Sequence, residues 1–83
     1  MNTIIVSELT PIVRKILRSP ELHLTPELSP ADIPQWDSVS NIMLIDAVER
    51  HFGLNVELKE MLKTKNVEDL VNLIEQKVKT VEK

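Results

Sequence analysis

Apolar residues recur along this chain at intervals of three and four, the period of a helix face, and strand-like alternation is missing. Leu9, Ile12, Val13, Ile16 and Leu17 form one such stripe and predict a first helix that ends near Arg18. Its start is open between three positions. Thr10-Pro11 reads as an N-cap followed by an N1 proline, Ser7 is a second cap that leaves Pro11 in the first turn, and the residues from Thr3 can add a loose turn. Val39, Ile42, Ile45, Val48 and Phe52, with Leu44 at the edge, form the stripe of the clearest helix. Asp37 caps it, its carboxylate placed to accept the backbone N–H of Val39 or Ser40. Arg50 and His51 bring positive charge to its last turn, Gly53 suits the left-handed residue beyond the end, and Leu54 can fold back on it. Leu58, Met61 and Leu62 predict a short helix over about 58–63. Asn66 then caps a fourth, with Asp69 resembling a capping-box partner and Val67, Leu70, Val71, Ile74 and Val78 as its stripe. The tail after Lys79 is expected to fray.

Between the first two helices runs a long connection, Ser19 to Trp36, which holds four of the five prolines. Each proline fixes its own φ and turns the residue before it away from helix. Leu22, Leu24, Leu28 and Ile33 interrupt the polar residues and are expected to pin this loop onto the bundle. Most connections run about 4–6 residues, so its length needs a reason. A bundle whose first two helices run nearly parallel would supply one.

The chain has 83 residues, enough for one small domain, 1–83, with a modest core. Cysteine is absent, so no disulfide or Cys-ligated zinc holds it together. The balance of 13 acidic and 10 basic residues gives a net charge of -3 with no basic stripe, which argues against nucleic acid as a partner. The longest apolar run, Ile4-Ile5-Val6, is too short for a membrane span or a signal-peptide core, and a cytoplasmic protein is expected. The single glycine, Gly53, excludes glycine-rich phosphate loops.

Catalytic constellations find little support. His23 and His51 stand apart from any metal-ligand spacing and read as solvated or capping residues, and the carboxylates are scattered along helix faces. Neither an enzyme nor a metal site is expected. What remains is Asp37-Ser38-Val39. A serine in the first turn of a helix holds its hydroxyl near unpaired backbone N–H groups, where a phosphodiester gains up to roughly 1 kcal/mol if exposed. Val39 is expected to point inward and anchor the turn, so that the site is open on one side and rigid on the other. Taken alone the tripeptide says only that a helix starts here; its setting says more.

A proline-rich loop, then Trp36-Asp37-Ser38-Val39 opening a helix that closes in His51-Phe52-Gly53, then a short helix and a capped last helix, together resemble the acyl carrier protein family, peptidyl and D-alanyl carriers included. The resemblance spans about Leu9 to Lys77. It implies an all-α four-helix bundle with a short third helix. It implies that Ser38 takes a covalent 4'-phosphopantetheine from coenzyme A through a phosphopantetheinyl transferase using a divalent metal, with Asp37 recognised by that transferase. The partners implied are the transferase, an acyl-activating ligase or acyltransferase that loads the arm, and downstream enzymes of fatty acid, polyketide or related biosynthesis. Partner contacts are expected from Val39, Met43, Ala47, Trp36 and Arg50; for Met43 a partial core role is an equal reading, and for Trp36 a packed loop anchor comes first.

The chain departs from the family in three places. Gln35-Trp36 stands where many members carry glycine, and Val39 replaces the usual leucine. The second helix holds only Asp46 and Glu49 as acids, against Arg50, whereas fatty-acid carriers have a strongly acidic one that docks on basic partner surfaces. Salt-steered docking should therefore be slight, as in a specialised carrier of a dedicated pathway. The rival reading is an unmodified helical adaptor. A monomer is expected in either case.

Overall fold

The computed structural model describes residues 1–81, with side chains through Val78, and all regular structure among them is helical. Four helices follow in order: α1 (Thr3–Ile16), α2 (Ser38–Phe52), α3 (Leu58–Lys63) and α4 (Val67–Val81). α4 stays helical through Val81, past the expected onset of fraying after Lys79, and residues 82–83 lie outside the described part.

α1 begins earlier than a Thr10–Pro11 start would have it. Asn2 is the cap, its side-chain oxygen accepting the N–H groups of Ile4 (3.0 Å) and Ile5 (3.1 Å). Pro11 lies well inside the helix and cannot donate to the carbonyl of Ser7. The helix survives because Ile5 and Leu9 extend the buried stripe a further two turns upstream, to join Val13 and Leu17. The other end is closed by a Schellman motif: Ser19 N–H reaches the Arg14 carbonyl (2.9 Å) and Arg18 N–H that of Lys15 (3.3 Å). The left-handed position of this motif, φ 55°, is taken by Arg18 where glycine would be usual.

α2 opens at Asp37, whose carboxylate accepts Ser40 N–H at 2.9 Å, and closes at Gly53, φ 66°, with Leu54 folded back onto the core. Its buried face is not the one centred on Val39 and Ile42. Leu44, Ile45 and Val48 are buried, with Leu44 at 0% exposure, whereas Val39 is 66% and Ile42 59% exposed. Apolar residues occupy most of the circumference of α2, so periodicity alone offers two faces, and packing takes the one that also carries Phe52. Val39 does not anchor the turn from within.

α1 and α2 run antiparallel, not parallel. Glu8, early in α1, meets His51 at the end of α2 (2.9 Å), and Leu17 and Arg18 share a groove with Asp37 and Val39 at its start. The long loop therefore has another purpose. It lies over one end of the bundle, with Ile33 and Trp36 buried and Leu22, Leu24 and Leu28 packed on the core. Arg14 Nε donates to the Leu22 carbonyl at 2.7 Å. The carbonyls of Leu28 and Pro26 accept the N–H groups of Val67 (2.9 Å) and Glu68 (3.1 Å), satisfying the open first turn of α4.

Asn66 caps α4 by accepting Asp69 N–H at 2.8 Å; the Asp69 carboxylate reaches Lys65 N–H (3.0 Å), one residue before the cap. Val67, Leu70, Val71 and Ile74 are buried beneath it. α3 has no buried residue: Leu58 and Leu62 face solvent, and only Met61 of its three predicted apolar residues packs on the core. Polar ties hold it, with Glu57 N–H on Glu60 Oε1 (2.9 Å) and Lys77 Nζ of α4 on the same carboxylate oxygen (2.8 Å). None of these helices is long and apolar enough to cross a membrane.

Candidate functional site

Ser38 is the first residue of α2 and lies on the surface, where the loop hands over to the helix. Three bonds fix this junction. The Trp36 indole N–H donates to Asn41 Oδ1 (3.1 Å), the Ser40 hydroxyl to the Gln35 carbonyl (2.7 Å), and Ser40 N–H to Asp37 Oδ1 (2.9 Å). The loop thus enters the helix through a locked turn whose backbone cannot swing with the Ser38 side chain. Asp37 is part of the lock. Its carboxyl is held below its ordinary value of 3.8, first of all by the backbone N–H of Ser40.

The two serines here differ in what their hydroxyls do. Ser40 is half-buried and its hydroxyl is committed to Gln35. Ser38 is exposed, and its hydroxyl has no hydrogen-bond partner among the described residues. Of the two, Ser38 has the hydroxyl that an external enzyme can reach.

The remaining sequence candidates divide. Val39 and Met43 (50% exposed) stand on the outer surface with Ser38, and Met43 has no core role. Ala47 is half-buried and Arg50 exposed, the latter paired with Asp46 at 3.2 Å. Trp36 is 6% exposed and is the loop anchor, which leaves little of its indole for a partner. Ile42 joins the outer surface instead, which the sequence placed inward. Both acids of α2 are engaged: Asp46 by Arg50, and Glu49 by Val56 N–H at 2.7 Å. The outer face of α2 is thus apolar over Val39, Ile42 and Met43, gives way to the Asp46–Arg50 pair further along, and has no unengaged carboxylate.

A groove of about 470 Å³ opens between the end of α1 and the start of α2, lined among others by Lys15, Arg18, Asp37, Val39 and Met43; Ser38 does not line it. Lys15 and Arg18 had no signal in the sequence, because only the antiparallel packing brings the end of α1 to the start of α2. Asn41 and the Ser40 hydroxyl were also missed, although a serine and an asparagine within the first turn of a capped helix are a readable hint of side chains bonding back to the loop.

No protein-family profile matches the chain, and no curated protein matches it significantly. Among solved structures it is similar to the solution NMR structure of a holo acyl carrier protein from Geobacter metallireducens, with 38% identity and a TM-score of 0.86 over 93% of this chain and 90% of that one.

Proposed function

Because the chain belongs to the acyl carrier protein family, we propose that it carries an acyl or aminoacyl cargo as a thioester on a 4'-phosphopantetheine arm attached to Ser38. The observation that supports this reading is the contrast at the first turn of α2: an exposed, unbonded Ser38 hydroxyl beside a Ser40 hydroxyl committed to the loop. The residues present fit the group. The hydroxyl is open to a transferase, it stands at the first turn of α2 where a negative group is stabilised, and the turn beneath it is locked.

In the attachment step Ser38 loses its proton to the transferase, its oxygen forms the new bond to phosphorus, and the nucleotide part of coenzyme A leaves. Asp37 keeps the turn in place through Ser40 and offers the transferase a charged landmark. Once attached, the arm supplies the thiol that bears the cargo. Val39, Ile42 and Met43 then form the apolar surface next to Ser38 on which a loading ligase or acyltransferase and the later biosynthetic enzymes dock, in the cytoplasm and with the carrier as a monomer. Tethering raises the local concentration of cargo at each enzyme in turn.

The test is an intact-mass measurement after incubating the apo protein with coenzyme A and a broad-specificity phosphopantetheinyl transferase. A gain of one phosphopantetheine that disappears in Ser38→Ala and persists in Ser40→Ala is the expected result. No gain with any of several transferases would instead identify an unmodified helical adaptor.

A further inference from the structure

Two cations stand where the end of α1 meets the start of α2, and no acid among the described residues is paired with either. Lys15 and Arg18 line the groove of about 470 Å³ between the two helices. Their side chains have no ion pair or hydrogen bond among the described residues. Asp37 is the one acid that lines the groove, and its carboxylate is taken by Ser40 N–H at 2.9 Å. Further along the same seam the cations are balanced within the chain. Arg50 and His51 line the next hollow, and Asp46 and Glu8 engage them. The unbalanced charge of this seam is therefore positive and lies at the end nearest the start of α2, in a chain of net charge -3.

Arg18 adds an independent sign. It holds the left-handed position of the motif that closes α1, at φ 55°, where glycine would be free of strain. Its side chain is exposed, and no hydrogen bond or ion pair among the described residues offsets that strain. A guanidinium kept at such a position is placed for something outside the fold. The walls beside it are apolar, with Ile16 and Leu17 from α1 and the exposed Val39 and Met43 from α2. Ser38 does not line the groove, so a group that fills it leaves the attachment hydroxyl free.

We propose that this end of the α1–α2 seam is the docking surface for an acidic, apolar segment of a partner protein. The segment's carboxylates meet Lys15 and Arg18, and an apolar side chain enters between Val39 and Met43. That the partner is a cargo-handling enzyme rests on the carrier reading; the chemistry of the segment rests on the groove. The acids of α2 are engaged by Arg50 and by Val56 N–H, so α2 has no unengaged carboxylate to offer a basic partner. What the groove offers is a guanidinium fork and an ammonium, both suited to carboxylates. Such complementarity steers encounter and sets like charge against a partner that brings cations to the same place.

NMR titration of the isotope-labelled apo protein tests the surface. The probe is an amphipathic peptide of leucine and glutamate, roughly three helical turns long, with its leucine–lysine counterpart as control. The glutamate peptide is expected to shift the amides of 15–18, 39 and 43, and the lysine peptide none of them. Arg18→Gly relieves the backbone, so the variant keeps its fold and isolates the side chain. Together with Lys15→Gln it should weaken binding of the glutamate peptide about tenfold or more, whereas Lys15→Arg should leave it unchanged. No shift in the wild-type protein, equal shifts with both peptides, or shifts confined to Ile42, Leu58 and Leu62 overturn the proposal. So does a concentration dependence of the same amides without peptide, which would give the surface to a second copy of the chain. The titration needs no prosthetic group, so its failure leaves attachment at Ser38 standing. Failure of attachment by intact mass removes the carrier reading and leaves a positive titration in place.

Discussion

Two of the described residues occupy the left-handed region, and they are chemically opposite. Gly53 ends α2 at φ 66° and Arg18 ends α1 at φ 55°. A side chain at such an angle crowds its own backbone, at about 1 kcal/mol relative to glycine. Exchanging the residue types should therefore have opposite effects. Arg18→Gly is expected to stabilise the apo protein by up to about 1 kcal/mol, somewhat reduced by the freer unfolded chain. Gly53→Ala is expected to destabilise it by about 1 kcal/mol. A Cβ at Gly53 would meet nothing within 4 Å, so that cost is conformational and not steric against neighbours. Urea unfolding of both variants checks the pair of signs. The Asp37 cap gives a pH-dependent counterpart. Its folded pKa lies below the unfolded value of 3.8, so its stabilising effect is complete above that value and is lost as pH falls through the lowered one. Asp37→Asn keeps the cap and removes the titration. The stability difference between wild type and this variant should therefore shrink between pH 6 and pH 3; a constant difference would remove the carboxylate from the account.

At the scale of elements, helix existence was readable where caps and stripes agreed, and orientation was not. Asp37, Gly53 and Asn66 mark ends that the structure keeps, because capping is decided by residues within one turn of each other. The start of α1 stayed open between three positions, and burial of Ile5 and Leu9 selects the earliest, at Thr3, over the good local signal of Thr10-Pro11. The face of α2 misled because Val39, Ile42, Leu44 and Ile45 are all apolar, and only the neighbours of the helix decide which of them see water. The antiparallel course of α1 and α2 has no local signature, and with it went the positions of Lys15 and Arg18. The exposed place of Ser38 at the start of α2 was legible because its signal is local: a serine directly after a cap, behind a proline-rich loop. The junction that presents it depends on Trp36, whose indole N–H to Asn41 joins loop to helix. A double-mutant cycle of Trp36→Phe and Asn41→Ala should give a coupling of about 0.5–1.5 kcal/mol by circular dichroism in urea. A coupling near zero would mean that the loop is held by its apolar contacts alone.

Among the described residues there is a single core, in which α1, α2, α4 and the loop all meet, and no second cluster shares the load. At about 0.05–0.15 kcal/mol per residue, a chain of this size has on the order of 4–12 kcal/mol of stability. One deep truncation can remove much of that. Leu44 is 0% exposed at the centre of the corrected α2 face, and Leu44→Ala is expected to cost about 2–5 kcal/mol through lost burial and the cavity it leaves. At roughly 4–8 °C per kcal/mol, the melting temperature should fall by tens of degrees at the upper end. Ile42→Ala, two residues away on the exposed side, should stay within about 0.5 kcal/mol. The two variants remove similar amounts of hydrocarbon from one helix, so the comparison isolates burial from helix propensity. Were Ile42 to prove the costly position, the orientation of α2 would be wrong by a large rotation. The apolar surface beside Ser38 would then turn inward, and the docking role given to Val39, Ile42 and Met43 would go with it.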